Sequence, residues 1–570
     1  MKNKKLLALG TLAATAAAAI LAKKKSDSLK NDKTIEKAIA TQNHNEDTHA
    51  YLIGGGLASM AAAAYLIQDG GFHGNNIHIM EQMNILGGSN DGSGDIEHGF
   101  VCRGGRMLNE ETYENFWALF KTIPSIEYPG RSVSEEILSF DHAHPTHAKA
   151  RLIDKSGKIL KVHSMGFNTK DRLLLGKLMK CKEEKLDDLS IEDWFKTSPH
   201  FFSTNFWHMW QTTFAFQTWS SLFEFRRYME RMILEFSRIE TLEGVTRTQY
   251  NQYESLILPL QTYLESKGVE FKCNCKVEDI DFSDDPHICV KSIHLNDHHI
   301  DTTITLRPKD LCIMTNGCMS DNASEGDFKH APEYNYDQPA SFELWKKVAS
   351  KKEGLGNPLP FCSKPHESNW ESFTVSMKGN KLLKMIEKFS NNIPGSGALM
   401  SFKDSSWKLS IVVAAQPHFK KQPLDTTIFW AYGLYTDHIG DYVKKPMMEC
   451  TGEELMIELI HHLHFEDQQD QIMATITNVI PCMMPYIDSQ FLPRKMSDRP
   501  LVVANGSKNF AMVSQFVEIS EDMVFTEEYS VRAARIAVYK LLGIDKKICP
   551  VTPYKKDPKV ILRALKTAYR

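Results

Sequence analysis

The chain has 570 residues, of which 42% are hydrophobic and 24% charged, a composition that excludes a disordered, collagen-like or polytopic membrane protein. The formal net charge of -4 gives no reason to expect nucleic-acid binding. Residues 1–40 hold nine lysines against three acids, and residues 546–570 hold eight lysines or arginines against one acid. An acidic body with two basic ends predicts that the ends contact an anionic partner such as a phospholipid membrane surface.

The N-terminal segment is basic and then uncharged. Leu6–Ala22 carries no charge and is followed by lysines at 23–25; as a helix it would span roughly 25 Å, slightly less than the ~30 Å hydrocarbon core of a bilayer. A cleaved signal peptide, an uncleaved anchor or interfacial helix, and a disordered extension are all open interpretations. Eleven cysteines without a CxxC pair or metal-ligand spacing indicate a reducing compartment. We therefore expect a cytoplasmic protein that is peripheral to, or anchored at, the inner face of the cell membrane.

A glycine-rich turn joins the first folded strand to a helix. Ala50–Ile53 is a short apolar strand, and the residues after it fit a G-x-G-x-x-S variant of the dinucleotide fingerprint. Glycines let the backbone approach a pyrophosphate, and the N-terminus of the helix offers unpaired N–H groups. The residues expected to contact the nucleotide here are Gly54, Gly56, Leu57, Ala58 and Ser59.

The second strand, Ile77–Met80, ends at an acid. Glu81, followed by Gln82, stands where a carboxylate can accept hydrogen bonds from ribose hydroxyls. Strand, glycine loop, alanine-rich helix, second strand and terminal acid occur in the order that a nucleotide-binding unit requires. The sequence therefore predicts nucleotide binding rather than an ordinary glycine turn.

Two further turns favour FAD over NAD. Gly88 and Ser89 follow the acid closely, and Arg103, Gly105 and Arg106 belong to an Arg-Gly-Gly-Arg turn. FAD is long and needs a second loop along its pyrophosphate and ring, and arginines can bind phosphate bidentately. An ordinary surface ion pair is the alternative for the arginines.

Two later segments resemble the return of the same domain. An apolar strand at 311–316 leads into a glycine, and a second at 501–504 leads to Asn-Gly-Ser before a helix near 526–542. A strand, a glycine and a helix near the C-terminus are typical of a two-dinucleotide-fold flavoprotein closing over its cofactor. The residues expected to contact the cofactor here are Asn316, Gly317, Ser507, Gln515 and Phe516.

The predicted fold class is α/β: a discontinuous Rossmann-like FAD-binding domain with an inserted substrate-binding domain and a helical C-terminal region. An N-terminal extension and linker would occupy 1–48. The cofactor domain would comprise 49–130, 301–345 and 496–545, and the substrate region 131–300 and 346–495. A basic amphipathic tail would occupy 546–570.

Residues 201–236 are unusually aromatic, with three Trp, eight Phe, three Met and a single Tyr. A plain helical core is one interpretation. The other is the wall of a long apolar tunnel, since Met and aromatic side chains suit a flexible acyl chain. Tyr228 would be a proton donor in such a wall, or else an ordinary core tyrosine.

These segments together resemble the oleate hydratases, also called the myosin-cross-reactive antigen family, from about residue 49 to residue 570. The resemblance is carried by the strings YLIGGGLAS, CRGGRMLNEETYENFW, MWQTTFAF, FRRYMERM, YNQYES, TNGCMSDN, YVKKPM and QFVEISEDMVFTEEYSVRAAR. It implies FAD that is not consumed, a homodimer, and addition of water across the cis-9 double bond of free fatty acids such as oleate and linoleate. By this resemblance the tyrosine of FRRY, Tyr228 here, donates the proton.

The chain departs from the family pattern at two places. Members of the family that read RGGRE use that glutamate to activate water, but Met107 occupies the position here, and we expect Glu110 or Glu111 to take the role. The alternative for both acids is an exposed position at a helix N-terminus. The family binds the substrate carboxylate through residues matching Gln252 and His418, but Val412 and Ala414 replace its Thr and Asn. Met107 would then contact the substrate.

The C-terminal residues predict a short basic amphipathic helix. Lys559, Arg563, Lys566 and Arg570 recur on one helical face, with apolar residues beside them, a pattern suited to an anionic leaflet. A solvated helix packed on its own domain is the alternative. Two other functions stay open: a flavin-dependent redox or isomerising enzyme acting on an apolar substrate, and a non-catalytic lipid carrier.

Overall fold

A computed structural model describes residues 47–90, 92–104, 107–397 and 399–570. The interpretations of Leu6–Ala22 lie outside the described residues. Each of the eleven cysteines is a free thiol. In the described part of the chain, helices long and apolar enough to cross a membrane are absent.

The elements combine α and β structure, which confirms the predicted fold class. The strands are β1 Ala50–Ile53, β2 Ile77–Met80, β3 Gly92–Asp95, β4 Gly99–Cys102, β5 Leu152–Ile153, β6 Glu270–Lys272, β7 Cys275–Phe282, β8 Val290–Asp297, β9 Ile300–Thr305, β10 Leu311–Thr315, β11 Ser324–Glu325, β12 Trp370–Lys378, β13 Leu399–Phe402, β14 Ser410–Val412, β15 Thr426–Gly433, β16 Ile476–Met484 and β17 Phe510–Val513. The α-helices are α1 Leu57–Gln68, α2 Glu114–Phe120, α3 Val133–Ala143, α4 Thr169–Lys180, α5 Ile191–Phe195, α6 Asn205–Phe214, α7 Leu222–Arg231, α8 Ile233–Phe236, α9 Leu258–Ser266, α10 Ala340–Lys351, α11 Leu359–Cys362, α12 Pro365–Ser368, α13 Lys381–Ser390, α14 Gly452–His462, α15 Gln469–Met473, α16 Glu527–Leu542 and α17 Pro558–Ala568.

The cofactor-type sheet is built from three distant parts of the chain. Its strand order is β17-β10-β1-β2-β6, and each neighbouring pair is parallel. The side chains of α1 are almost all buried, because alanines let this helix lie close to the sheet and to α16. All carboxyl ends of the strands therefore meet at one edge, where an open α/β sheet binds its ligand.

A second sheet is built from seven strands. Its seven strands follow the order β11-β16-β12-β15-β14-β13-β5 and are antiparallel except for the pair β13 and β5. Side chains alternate between the two faces along each strand, and each face of the sheet is covered by a core of its own. On β12 and β15 the residues Trp370, Trp430 and Tyr432 pack into the main core, while Phe373 and Phe429 pack into a separate core with α13 and α14.

The last strand of the cofactor-type sheet is not where the sequence predicts it. The prediction of a strand at 501–504 is wrong: residues Phe510–Val513 form β17 and pair with β10. Both segments are short apolar runs ahead of polar residues, so their patterns cannot be told apart. The helix that follows does begin where expected, since the Thr526 side chain accepts the N–H of Tyr529 and caps α16.

Candidate functional site

A groove runs along the carboxyl edge of the parallel sheet, where the first glycine turn leaves β1. Gly54 has a φ of +95°, and a β-carbon there would lie 2.9 Å from the Thr315 Oγ1 atom on the neighbouring strand. A side chain at this position would therefore be strained both by its backbone and by contact. Gly56 faces Gly88 across the groove, and a β-carbon on Gly56 would come no nearer than 3.9 Å to it. This leaves an open, backbone-lined approach to the N-terminus of α1, the setting that suits a pyrophosphate.

Glu81 closes the turn at the end of β2. Its Oε2 accepts the N–H of Gly55 at 2.6 Å, and its Oε1 accepts the N–H of Met83 at 2.8 Å. Burial raises the pKa of this carboxyl, and the two backbone N–H groups oppose that rise. The carboxylate thus holds the loop while it lines the groove, where a ribose could reach it.

Most of the residues predicted to contact the cofactor line this groove. Its outer part, beside Glu81, and its inner part, toward α16, share Gly56, Gly88, Thr315 and Cys318. The predicted residues found in the lining are Gly54, Gly56, Leu57, Ala58, Glu81, Gln82, Gly88, Ser89, Arg103, Gly317, Gln515 and Phe516. Gly105 and Arg106 lie outside the described residues.

Three of the predicted cofactor residues do not line the groove. Ser59 is fully buried between α1 and β10, with its hydroxyl 3.2 Å from that of Thr315. Asn316 is fully buried and donates to the backbone carbonyl of Phe516. Ser59 and Asn316 therefore hold together the elements that form the groove without lining it.

Ser507 does not lie at the groove, contrary to the prediction that it contacts the cofactor. It lies three residues before β17, at the amino ends of the parallel strands, and its hydroxyl donates to the backbone carbonyl of Phe510. Because the groove lies at the carboxyl ends, Ser507 is on the opposite edge of the sheet. The error follows directly from the misplaced strand.

An apolar cavity lies next to the inner groove. Its wall is largely apolar and includes Phe214, Met232, Leu242, Val245, Leu399 and Trp430. Tyr228 belongs to this wall, is 1% exposed, and donates its hydroxyl hydrogen to the backbone carbonyl of Val524 at 2.7 Å. Burial raises the pKa of Tyr228 well above its ordinary value. The cavity therefore holds a phenol that stays protonated at neutral pH.

The apolar cavity and the inner groove are separated by a single short segment. Phe525, Thr526 and Glu527 line both spaces. Phe525 adopts a left-handed backbone conformation, with a φ of +66°, and its N–H donates to the Gln515 side chain. A cofactor in the groove and a substrate in the cavity would thus be neighbours across this segment.

The predicted water-activating acids do not reach the cavity, which is a second correction. Glu110 bonds to His142 at 3.1 Å with both side chains largely exposed, and Glu111 forms an ion pair with Arg238 at 2.8 Å. Both acids follow the Met107 turn closely in sequence and lie between Asn109 and Tyr113, which line the cavity, but neither Glu110 nor Glu111 is part of its wall. Met107 itself does line the apolar cavity.

A polar recess adjoins the cavity and shares Val412 and Trp430 with it. Gln252 and His418 both line this recess, together with Arg247. Burial lowers the pKa of His418 to about 4, so its imidazole is neutral at pH 7. The recess is therefore a buried set of hydrogen-bonding groups at one end of an apolar space.

Arg247 is a residue that the sequence analysis missed. Its side chain is 8% exposed, and its Nε and Nη2 atoms have no hydrogen-bond partner among the described residues. Burial lowers its pKa to about 10, with Asp141 opposing, so the guanidinium stays charged at neutral pH. Since buried guanidinium N–H groups without a hydrogen-bond acceptor are costly, the recess is suited to a carboxylate. Arg247 stands in the string TRTQYNQY, five residues before Gln252. This closeness to Gln252 in sequence was the only signal that could have indicated Arg247.

The comparisons with known proteins agree with one another. The sequence profile of the MCRA family matches residues 47–539. A linoleate hydratase of Lactiplantibacillus plantarum is 39% identical over 561 residues, covering 91% of this chain and 98% of the relative. An oleate hydratase of Streptococcus pyogenes serotype M49 (strain NZ131) is 36% identical over 507 residues, covering 87% of this chain and 85% of the relative.

A distant structural likeness is also found. The crystal structure of a CLA-producing fatty acid isomerase from P. acnes superposes with a TM-score of 0.43 at 13% identity, covering 87% of this chain and 99% of that one. The family match and the identity to both hydratases extend over most of the chain and confirm the resemblance found in the sequence. The chain belongs to the MCRA family.

Proposed function

We propose that this protein is a hydro-lyase that adds water across the cis-9 double bond of free unsaturated fatty acids, such as oleate and linoleate, to give 10-hydroxy acids. The observation that carries the proposal is the buried Tyr228 hydroxyl in the wall of an apolar cavity that is adjoined by a cationic recess. An apolar cavity suits an acyl chain, and the recess suits its carboxylate. The two relatives described as hydratases, at 39% and 36% identity, support this substrate class.

The chemistry requires an acid that can protonate an alkene. An isolated double bond is a weak base, so the donor must be placed against it and shielded from water. Tyr228 meets this need, because its hydroxyl is buried and rests on a neutral carbonyl, that of Val524, rather than on an anion that would compete for the proton. The aromatic side chains around it, Phe214, Phe216 and Phe491, exclude water.

FAD is the proposed cofactor of the groove. The backbone-lined approach at Gly56, the acid Glu81 and a lining toward α16 that is uncharged apart from Glu527 fit a long dinucleotide, with its pyrophosphate at the N-terminus of α1. Hydration changes no oxidation state, so bound FAD would supply shape and electrostatic stabilisation of positive charge developing on the substrate. Phe525, Thr526 and Glu527 would carry that influence, because they line both spaces.

The test of the function uses the purified protein, supplied with FAD and reduced, with oleate and linoleate in isotopically heavy water. Hydration predicts one solvent oxygen at carbon 10 and one solvent hydrogen at carbon 9, read by mass spectrometry. A flavin-dependent redox or isomerising enzyme would instead consume an electron acceptor or shift the double bond without gaining the mass of water. No incorporation with either acid would overturn the proposal.

Arg247→Met is expected to raise the KM for oleate by about 10- to 100-fold with a smaller change in kcat. Losing a charged hydrogen-bonding partner for the carboxylate costs about 1.5–3 kcal/mol of binding. Steady-state kinetics with the free acid and with its methyl ester would measure this. The wild type should prefer the free acid, and the variant should lose that preference.

Arg247→Lys is the matched control, since it keeps the charge but not the planar fork. We expect a KM between those of the wild type and Arg247→Met. An unchanged preference for the free acid in Arg247→Met would show that the carboxylate binds elsewhere.

We also propose that α17 docks on an anionic membrane surface. Leu562 and Leu565 are 54% and 53% exposed, whereas the end of the helix is tied to the body, since Arg172 donates to the carbonyl of Ala568 at 2.7 Å. An exposed apolar side beside a basic face suits the headgroup boundary, and the substrate resides in that bilayer. The homodimer and the cytoplasmic location remain predictions from the resemblance and from the cysteines.

Leu562→Glu combined with Leu565→Glu is expected to lower binding to phosphatidylglycerol-containing vesicles by at least about tenfold, because two apolar contacts with the bilayer are lost. Vesicle co-sedimentation measures the binding. Ile300→Glu, at a residue on β9 that is 66% exposed, is the control and should bind as the wild type does. Equal binding by all three proteins would contradict docking through α17.

A further inference from the structure

We propose that Glu235 is the catalytic carboxylate that activates the attacking water, in place of the glutamate that the RGGRE members carry where this chain has Met107. The inference rests on the proposed hydration and adds a residue to it. Glu235 was not among the residues that the sequence analysis selected.

Glu235 lines the same cavity as the proton donor. Tyr228, Met232 and Glu235 follow one another at i, i+4 and i+7 along α7 and α8, and all three line the apolar cavity. Met232 joins the two helices with a non-helical backbone, φ -97° and ψ 30°, so the phenol and the carboxylate approach the cavity from two successive helices. Both side chains can therefore act on a substrate held in this one cavity.

The carboxylate has one oxygen held and one oxygen available. Oε1 accepts from the Asn109 side chain at 3.0 Å and from the Arg238 guanidinium. Oε2 is buried and has no hydrogen-bond partner among the described residues. A buried unsatisfied oxygen requires an explanation, and a water molecule in the cavity would satisfy it.

The electrostatics of the site support a general base. Burial raises the pKa of Glu235, and Arg238 opposes that rise, which moves the group toward the range where a carboxylate accepts a proton from water effectively. The other ionisable groups that face it or share its cavity are Glu111, Tyr113, Tyr228, Tyr432 and Glu527. Glu111 pairs with Arg238 rather than with the cavity, so it is a positioning residue that acts on Glu235 through the arginine.

Because Met107 replaces the glutamate of the RGGRE members, another residue of the cavity wall must supply the carboxylate that activates water. A thioether is only a weak hydrogen-bond acceptor and cannot serve as a base for water. Met107 and Glu235 line the same cavity. The Glu235 carboxylate can therefore activate a water molecule in this cavity that the Met107 thioether cannot.

The step balances without an oxidant or reductant. The Tyr228 hydroxyl gives its proton to one alkene carbon, and the oxygen of water bonds to the other as the π bond breaks. Glu235 takes a proton from that water, leaving a hydroxyl group on the product. Return of one proton from Glu235 to the tyrosinate, through solvent, restores both groups, and the net change is the addition of one water.

The experiment compares kcat for oleate hydration in Glu235→Gln, Glu111→Gln and Glu527→Gln, each loaded with FAD. Glu235→Gln should lose about 10²- to 10⁴-fold in kcat with KM and FAD affinity nearly unchanged. Adding Met107→Glu to Glu235→Gln should restore at least tenfold of the loss, which a merely structural role for Glu235 would not predict. Glu111→Gln should lose less than Glu235→Gln.

Glu527→Gln tests the other carboxylate of the cavity. A full kcat in Glu235→Gln, or a loss confined to Glu527→Gln, would overturn the assignment of Glu235. If Glu235→Gln does not fold, Glu235→Asp decides: a tenfold or greater loss of kcat supports the assignment, and an unchanged kcat overturns it. A wild type that hydrates no fatty acid would instead overturn the proposed function, and the assignment with it.

Discussion

Tyr228→Phe is expected to lower kcat for oleate hydration by on the order of 10³-fold, because the variant retains the ring but lacks the proton that the alkene must receive. KM should change little, since the phenyl ring keeps the packing against Phe216 and Phe491. Loss of the hydroxyl leaves the carbonyl of Val524 without its partner, at a cost of about 1–3 kcal/mol in stability. Stopped assays with mass-spectrometric detection of the hydroxy acid, together with a melting curve, separate these effects.

Tyr113→Phe is the matched control for this prediction. Tyr113 is buried in the same cavity wall, and its hydroxyl donates to the backbone carbonyl of Met107 at 3.3 Å. Removing it should disturb packing and hydrogen bonding to a similar degree but leave kcat within a few-fold. Equal losses in both variants would show that the effect is structural.

The same pair of variants separates an enzyme from a lipid carrier. A carrier would bind fatty acid before and after Tyr228→Phe and would show no turnover in either form. An enzyme loses turnover but keeps binding. Fluorescent fatty-acid displacement, measured beside the hydration assay, distinguishes the two.

The groove at the carboxyl edge of the parallel sheet could be predicted well from sequence because its signals are local. The turn at Gly54 and Gly56 and the acid at the end of β2 can be recognised from residues adjacent in sequence. The order of strand, turn and helix along the chain then indicates the fold around them. The exception is informative. Residues 501–504 and 510–513 are equally apolar, and only pairing with β10 selects the second, so Ser507 was assigned to the wrong edge.

The apolar cavity could be predicted only in part because its wall is assembled from distant segments. Tyr228 was found through a motif, but Arg247 and Glu235 have no local pattern that marks them. Their proposed roles rest on individual buried atoms without a hydrogen-bond partner, a property that depends on the tertiary packing. Glu110 and Glu111 illustrate the converse, since proximity in sequence to Met107 did not place them in the cavity.

A buried cluster of charges holds the segment that separates the cavity from the groove. Asp522 is 2% exposed, and its two oxygens accept from Arg231 at 2.9 Å and from Arg532 at 2.8 Å. Both arginines also pair with Glu114. The cluster therefore ties α7, which carries Tyr228, to α16 and to the segment beginning at Asp522. Val524, whose carbonyl accepts the Tyr228 hydrogen bond, lies two residues farther on.

The direction in which the pKa of Asp522 is shifted determines how its contribution to stability changes with pH. Burial works to raise its pKa, but Arg231 and Arg532 outweigh burial and lower it below its ordinary value. A carboxyl whose folded pKa is lowered contributes stability that is present above its unfolded pKa, near 3.9, and is lost as the pH falls through the folded value. The contribution is thus complete at neutral pH and disappears only in strong acid.

Asp522→Asn is expected to lower the free energy of unfolding at pH 7 by about 3–5 kcal/mol, because it leaves two buried arginines without a full counter-charge. Urea unfolding followed by tryptophan fluorescence measures the loss. Asp281→Asn is the matched control: Asp281 also has two basic partners, Lys351 and His294, but is 45% exposed, so its loss should be at most about 1 kcal/mol. Below the folded pKa of Asp522 the difference between wild type and Asp522→Asn should shrink. Equal losses in the two variants at pH 7 would mean that burial of the cluster does not determine its contribution to stability.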